Sequence, residues 1–274
     1  MVAFHTLRTR SDNFSLQRFE LLTLMLSALE WKKYNGTIKL VTDQRGFEYL
    51  NNLGITDIYD EIDTSLDEID SLNIDEVVFW AGAKLLALSK QSAPCVMIDL
   101  DFIVWQKLDF TPYKDNVAVI HFEQVNNFIY PSIEHFRFNN DFKFPSTLDW
   151  SVEACNTAFA YFGANDIIKR YCDFAFEFMQ SADTSNAGLP YMVFAEQRWL
   201  AMCMKLMRRE VYALSSLKDL FGRRQEYFTH IWGYKQKFRD DPNLAEQFCN
   251  DCLGRLKHDF PDTFNNFSEV LIKV

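Results

Sequence analysis

Two hydrophobic rhythms alternate along the chain. Short β-leaning runs at Val2–Leu7, Thr37–Thr42 and 57–59 are separated by stretches of helical period. Leu16, Phe19, Leu22, Met25, Leu26 and Leu29 recur three and four apart, which predicts a helix over 16–34. Ser11-Asp12-Asn13 offers helix-start chemistry before it, and Asn35-Gly36 ends it, because glycine takes the left-handed cap. Asp43 follows the second strand, and a short helix over 47–53 closes at Gly54. Alternation of this kind over the first sixty residues predicts an α/β fold with a mostly parallel sheet flanked by helices.

The segment 60–75 is acidic and reads as a solvated loop; its carboxylates lack the spacing of a calcium loop. A helix is predicted over 76–90, with Val77, Trp80, Ala81, Leu85 and Leu88 on its apolar positions. Cys95-Val96-Met97-Ile98 then reads as a buried central strand, running into Asp99-Leu100-Asp101 and Phe102-Ile103-Val104-Trp105. Further strands are predicted at 116–122, 155–162 and 210–214, and helices at 165–180, 191–206 and 244–256. Between them, 126–150 is aromatic, holds Pro131 and Pro145 and has little periodicity, the signature of a functional insertion. Neither repeats nor a linker stand out, so a single domain over 1–274 is expected.

Composition narrows the function. Asp+Glu number 38 against 28 Lys+Arg, a formal charge of −10, which argues against a protein that coats nucleic acid. Phenylalanine is abundant at 26 residues; it reads as core, with stacking of exposed rings on sugars or bases as the alternative. Cys249 and Cys252 form a CxxC with no second pair, and His258 does not complete a zinc set, so the six cysteines read as free thiols in a reducing compartment. The N-terminal residues lack a basic, then apolar, leader, and 16–34 is too polar to span a bilayer. A cytoplasmic location without a transmembrane segment is expected, compatible with peripheral membrane association.

Asp99 and Asp101 carry the sharpest chemical signal. Acids at i and i+2 past the carboxyl end of a buried strand lie where open α/β sheets bind ligands. On a regular strand both would face the same side. Two carboxylates about 4 Å apart repel by about 4 kcal/mol at an effective dielectric near 20. A divalent cation turns that repulsion into attraction, and oxygen donors suit Mn²⁺ or Mg²⁺ bridging to phosphates. The competing reading is a solvated pair that caps the next turn.

The run Phe79-Trp80-Ala81-Gly82-Ala83-Lys84-Leu85-Leu86-Ala87-Leu88, followed by Val96-Met97-Ile98-Asp99-Leu100-Asp101-Phe102-Ile103-Val104, resembles the helix, strand and DxD core of GT-A glycosyltransferases. It is most similar to family 8 and related DxD-containing sugar transferases of bacterial polysaccharide assembly. Three later segments extend the resemblance: Cys155-Asn156-Thr157-Ala158, Ala195-Glu196-Gln197-Arg198 and His230-Ile231-Trp232-Gly233-Tyr234-Lys235. The resemblance implies a GT-A-like fold and transfer of a sugar, with retention, from a nucleotide-diphosphate donor, a UDP-sugar by analogy, to a saccharide or glycan acceptor. It implies that Asp99, Asp101 and His230 hold Mn²⁺ or Mg²⁺. Lys84, Asp99 and Lys235 would contact donor groups, Thr6 and Arg8 would meet the nucleotide, and Asn156, Glu196 and Gln197 would orient the donor sugar. It divides the chain into a nucleotide-binding half over 1–110, a donor-sugar and acceptor half over 111–240 and a helical tail over 241–274. Lys235 comes one residue early for the family pattern, and no Pro-Trp follows it.

Inversion would need a carboxylate base, and Glu196, Asp149 or Glu153 are open to that role. Two rival readings remain. One is a catalytically degenerate nucleotide-binding protein of the same fold. The other is a phosphatase of the haloacid dehalogenase type with Asp99 as nucleophile; Asp240-Asp241 lacks the preceding apolar strand that this type requires.

Overall fold

The computed structural model describes residues 1–11, 13–222 and 227–273. Its strands are β1 Val2–Leu7, β2 Thr37–Thr42, β3 Glu61–Asp63, β4 Cys95–Ile98, β5 Phe102–Val104, β6 Val117–Glu123, β7 Ala154–Phe162, β8 Val211–Ala213 and β9 Phe228–His230. Its α-helices are α1 Arg18–Tyr34, α2 Gln44–Asn52, α3 Gly82–Ser89, α4 Asn165–Ser181, α5 Leu189–Val193, α6 Trp199–Leu206, α7 Leu217–Leu220, α8 Lys235–Asp240, α9 Pro242–Asp259 and α10 Pro261–Lys273. The α/β class read from the alternation holds. The chain forms two compact units, one from Met1–Thr64, Ile98–Leu108 and Asp219–Val274, the other from Ser65–Met97 and Asp109–Lys218.

In the first unit, strands run in the order β3-β2-β1 with both pairings parallel. Helix α1 packs against β5 and α9 and is buried on every side from Leu21 to Trp31, so it is a core helix whose polar positions Thr23, Ser27 and Glu30 are buried with the rest. It starts at Arg18, later than Ser11-Asp12-Asn13 predicts; Asp12 lies outside the described residues. The actual start is a reciprocal cap, in which the Gln17 backbone N–H donates to Glu20 Oε2 at 3.0 Å. The strand predicted at 57–59 is instead a 3₁₀ turn, Thr56–Ile58, because Ile58 and Tyr59 spend their N–H groups on carbonyls three residues back. The third strand falls inside the segment read as a loop. Its polar residues suit an edge position, where Lys39 Nζ pairs with Glu61 at 2.7 Å.

In the second unit the order is β4-β7-β6-β8; β6 runs antiparallel to β7 and parallel to β8. Helix α3 packs on α4, and α4 on α6. Helix α3 is shorter than the predicted 76–90. Asp75 Oδ1 accepts from the N–H groups of Val77 and Val78, which holds that end in a turn and leaves Val77 exposed. The aperiodic stretch 126–150 is anchored by aromatic packing: Phe136 and Phe144 lie 4.9 and 5.2 Å from Phe194, which also meets Phe178 at 4.7 Å. Much of the phenylalanine excess therefore serves as core. The helix predicted over 191–206 is present but interrupted. Phe194–Arg198 forms a π-helical turn, in which the Trp199 N–H bonds the Phe194 carbonyl five residues back. All six cysteines are buried and free. Among the described residues, no helix is long and apolar enough to cross a membrane.

Candidate functional site

In the first unit, the acid pair sits in a turn and not on a strand. The Phe102 N–H closes a four-residue turn onto the Asp99 carbonyl at 3.0 Å, so Asp99-Leu100-Asp101 bends immediately after the apolar β4. Strand β5 then pairs antiparallel with β9, with Phe102 opposite His230. That register brings His230 beside Asp101, and the Ile231 N–H reaches the Asp101 carbonyl at 3.3 Å. A 3₁₀ turn over Trp232–Tyr234 carries the chain to Lys235, the first residue of α8.

Four side chains converge as a result. Asp99, Asp101 and His230 each offer a donor atom, and the three atoms lie within 4.8 Å of one another. His230 Nε2 is 3.9 Å from Asp101 Oδ2, and Lys235 Nζ is 2.9 Å from the same oxygen. Asp101 and His230 are buried, and Lys235 is partly exposed. Burial pushes the Asp101 carboxyl up, but the adjacent Lys235 and His230 outweigh it and hold the group below the usual carboxylate range. Trp232, half exposed, stacks on the His230 ring at 6.0 Å between centroids and 24° between planes.

A buried polar chain supports this turn. Ser27 Oγ donates to the Phe102 carbonyl, so it accepts from His5 Nε2–H at 2.9 Å. His5 Nδ1 is then the acceptor for the Tyr59 hydroxyl at 3.0 Å. His5 is thereby fixed as a neutral imidazole. Burial pushes its pKa down to about 3 against the opposing pull of the Asp99 charge. Thr6 lies on the same strand, opposite Val41, and Arg8 Nη1 meets Asp43 Oδ2 at 3.2 Å, where Asp43 also caps α2.

The second unit holds the other predicted residues. Asn156 on β7 is buried; its Oδ1 accepts from the Ala158 N–H at 3.1 Å, and its Nδ2 donates to Glu123 Oε1 at 3.1 Å. Asn156 stands opposite His121 on β6, just past a register irregularity between Val119 and His121. Lys84 Nζ and the Thr157 hydroxyl both donate to Glu196 Oε1 at 2.7 Å, and Lys84 also bonds the Thr157 carbonyl at 2.9 Å. The Tyr130 hydroxyl donates to Gln197 Oε1 at 2.6 Å. Arg198 is buried and bonds the Trp150 carbonyl; its pKa is lowered by that burial.

The predicted residues therefore fall into two groups, one in each unit. The first gathers Asp99, Asp101, His230 and Lys235. The second gathers Lys84 with Glu196, while Asn156 and Gln197 take Glu123 and Tyr130 as partners. Sequence reasoning missed Glu123, Tyr130 and Arg198. Glu123, the acid at the end of the apolar β6, was readable by the criterion that picked out Asp99. A cavity of about 910 Å³ in the first unit is lined by Leu29, Lys33, Asn51, Gly54, Phe260 and Phe267 among others, and by none of these candidate residues.

A family model described as "Family of unknown function (DUF6734)" matches residues 5–270. The chain belongs to this family. No curated protein matches it. Among solved structures it is similar to the PaToxG glycosyltransferase, with 13% identity and a TM-score of 0.44 over 93% of this chain and 75% of the other. It is similar to mouse xyloside xylosyltransferase 1 in its apo form, with 8% identity and a TM-score of 0.42 over 77% of this chain and 84% of the other. A third is the glycosyltransferase GlyE of Streptococcus pneumoniae TIGR4, with 12% identity and a TM-score of 0.37 over 91% of this chain and 50% of the other.

Proposed function

We propose that the chain is a metal-dependent glycosyltransferase of GT-A type. It would move a sugar from a nucleoside-diphosphate donor, taken here as a UDP-sugar, to a saccharide or glycan acceptor with retention at the anomeric carbon. The observation that carries the reading is the convergence of Asp99, Asp101 and His230, from two distant stretches of sequence, with the Lys235 ammonium against Asp101. Two carboxylates and an imidazole form a donor set that suits Mn²⁺, and Mg²⁺ less well because of the nitrogen. The Lys235 ammonium at 2.9 Å from Asp101 supports the reading that a positive charge is favoured beside this acid.

Asp99, Asp101 and His230 would hold the ion, which when bound supplies a Lewis acid for the departing diphosphate. Lys235 would add a positive charge at the same place, suited to phosphate oxygens. The bond from the sugar C1 to the diphosphate oxygen breaks with its electron pair staying on that oxygen, a bond from C1 to the acceptor oxygen forms, and the acceptor proton passes to the departing diphosphate. In the second unit, Asn156 and Gln197 present fixed amides suited to sugar hydroxyls, held by Glu123 and Tyr130. Of the carboxylates open to a base role, Glu196 is committed to Lys84 and Thr157, and Asp149 to Ser151. The Ser151 hydrogen bonds hold Asp149 below the usual carboxylate range, which makes it a weaker base. Glu153 is exposed and stays open to that role, so retention is carried by the resemblance.

The test is turnover of a panel of nucleotide-sugars with Mn²⁺, reading release of the nucleoside diphosphate. Release that requires Mn²⁺ and falls at least about a hundredfold in Asp101→Asn supports the reading. A second reading, nucleotide binding without turnover, draws on the commitment of Glu196 to a closed ion pair. Metal-dependent binding of UDP without release from any donor would favour it.

A further inference from the structure

We infer that Lys235 is a built-in counter-cation that competes with the divalent ion for Asp101 and is displaced towards the donor phosphates when the ion binds. This rests on the metal-dependent reading proposed above. Lys235 Nζ lies 2.9 Å from Asp101 Oδ2, and His230 Nε2 faces that same oxygen from 3.9 Å. Oδ2 is the Asp101 oxygen that faces His230, so an ion held jointly by the two residues would be drawn to it, and bonds of about 2.0–2.2 Å would crowd an ammonium in hydrogen-bond contact on the same face. Two positive groups at such a distance also repel strongly.

Lys235 is equipped to move. Its side chain is partly exposed, and it starts α8 directly after the 3₁₀ turn over Trp232–Tyr234. A β-carbon placed on Gly233 in that turn would meet nothing within 4 Å, so the turn is uncrowded there. The ammonium thus has two stations: Asp101 when the acids carry no ion, and donor phosphate when they do. It keeps the buried Asp101 neutralised in the first state. In the second it adds a charge-assisted hydrogen bond to the leaving group. Ion and diphosphate binding become coupled, because the cost of moving Lys235 from Asp101 is recovered only when phosphate is present.

The consequence is a pair of opposite effects from one substitution. Lys235→Met keeps the unbranched shape and most of the length of the side chain and removes its charge. Titration of Mn²⁺ alone, read by electron paramagnetic resonance of the free ion, is expected to show about fivefold to tenfold tighter binding in Lys235→Met than in the unaltered protein. Titration of UDP at saturating Mn²⁺ is expected to show about tenfold weaker binding in the same variant. Lys235→Arg, which keeps the charge, is expected to leave Mn²⁺ affinity within about twofold of the unaltered protein. Circular dichroism melting of each variant separates these effects from loss of fold. Unchanged or weaker Mn²⁺ binding in Lys235→Met, while the unaltered protein binds Mn²⁺ through Asp101, would overturn the competition and leave the metal site standing. Absence of Mn²⁺ binding in every variant would overturn both.

Discussion

Asp101 Oδ2 is shared by two nitrogen neighbours, Lys235 Nζ at 2.9 Å and His230 Nε2 at 3.9 Å, at the end of an antiparallel ribbon of three residues on each side. The ribbon explains why one acid can matter more than its twin. Asp101 is nearly sealed from water, whereas Asp99 is half-buried at the start of the turn. A buried carboxylate is costly unless neutralised, so the structure must keep a positive group against Asp101.

Nucleotide binding should therefore require the ion. With UDP at about a hundred times its dissociation constant, the folded state gains about 2.7 kcal/mol by mass action. The expected result is a higher melting temperature with UDP and Mn²⁺ together, and no rise with UDP plus chelator. Asp101→Asn should lose the rise. A UDP shift that survives chelation would count against a metal-bridged diphosphate.

His5 should impose an acid limit on stability. Its pKa is lowered from the ordinary value of 6.5 to about 3 by burial, so the folded state resists the proton that the unfolded chain accepts. Stability from this residue is complete above about pH 6.5 and falls as pH drops, by about 1.4 kcal/mol per unit until about pH 3. Between pH 6.5 and pH 4.5, chemical denaturation should show a loss of about 2.3 kcal/mol from His5, a loss absent in His5→Gln. Equal acid losses in the two proteins would show that His5 is not the titrating group.

The pairing of Lys84 with Glu196 separates a structural role from a catalytic one. Both side chains are about one-tenth exposed, at 11% and 9%. Lys84→Met strands a buried carboxylate and should cost about 3–5 kcal/mol, whereas Lys84→Met with Glu196→Gln should regain about half of that. Thermal or urea unfolding of the three variants measures this. A cost below about 1 kcal/mol for Lys84→Met would mean that water reaches and solvates Glu196, and would return it to the list of candidate bases.

Much of this was legible in the chain because burial writes itself in periodicity. The apolar run Cys95–Ile98 with two acids just beyond it reads directly as a buried strand leading to a charged turn. The strand and helix order over most of the chain is readable for the same reason. His230 is different. Its strand, Phe228–His230, is only three residues long and carries no alternation, so only the similarity of His-x-x-Gly to a known motif pointed to it. The β5–β9 pairing then turns that similarity into proximity. Two features were opaque. A π-helical turn breaks the 3.6-residue period, and here it sets the Glu196, Gln197 and Arg198 directions within a helix that reads as continuous. The irregularity in β6 between Val119 and His121 likewise shifts the pairing that sets Glu123 beside Asn156.

The most direct measurement is X-ray diffraction above the manganese absorption edge from crystals grown with Mn²⁺ and UDP. The expected result is one anomalous peak bonded to Asp99, Asp101 and His230, with Lys235 turned from Asp101 to a phosphate oxygen. A peak at other residues, or UDP bound with no peak beside Asp101, would contradict the assignment of these three side chains as metal ligands.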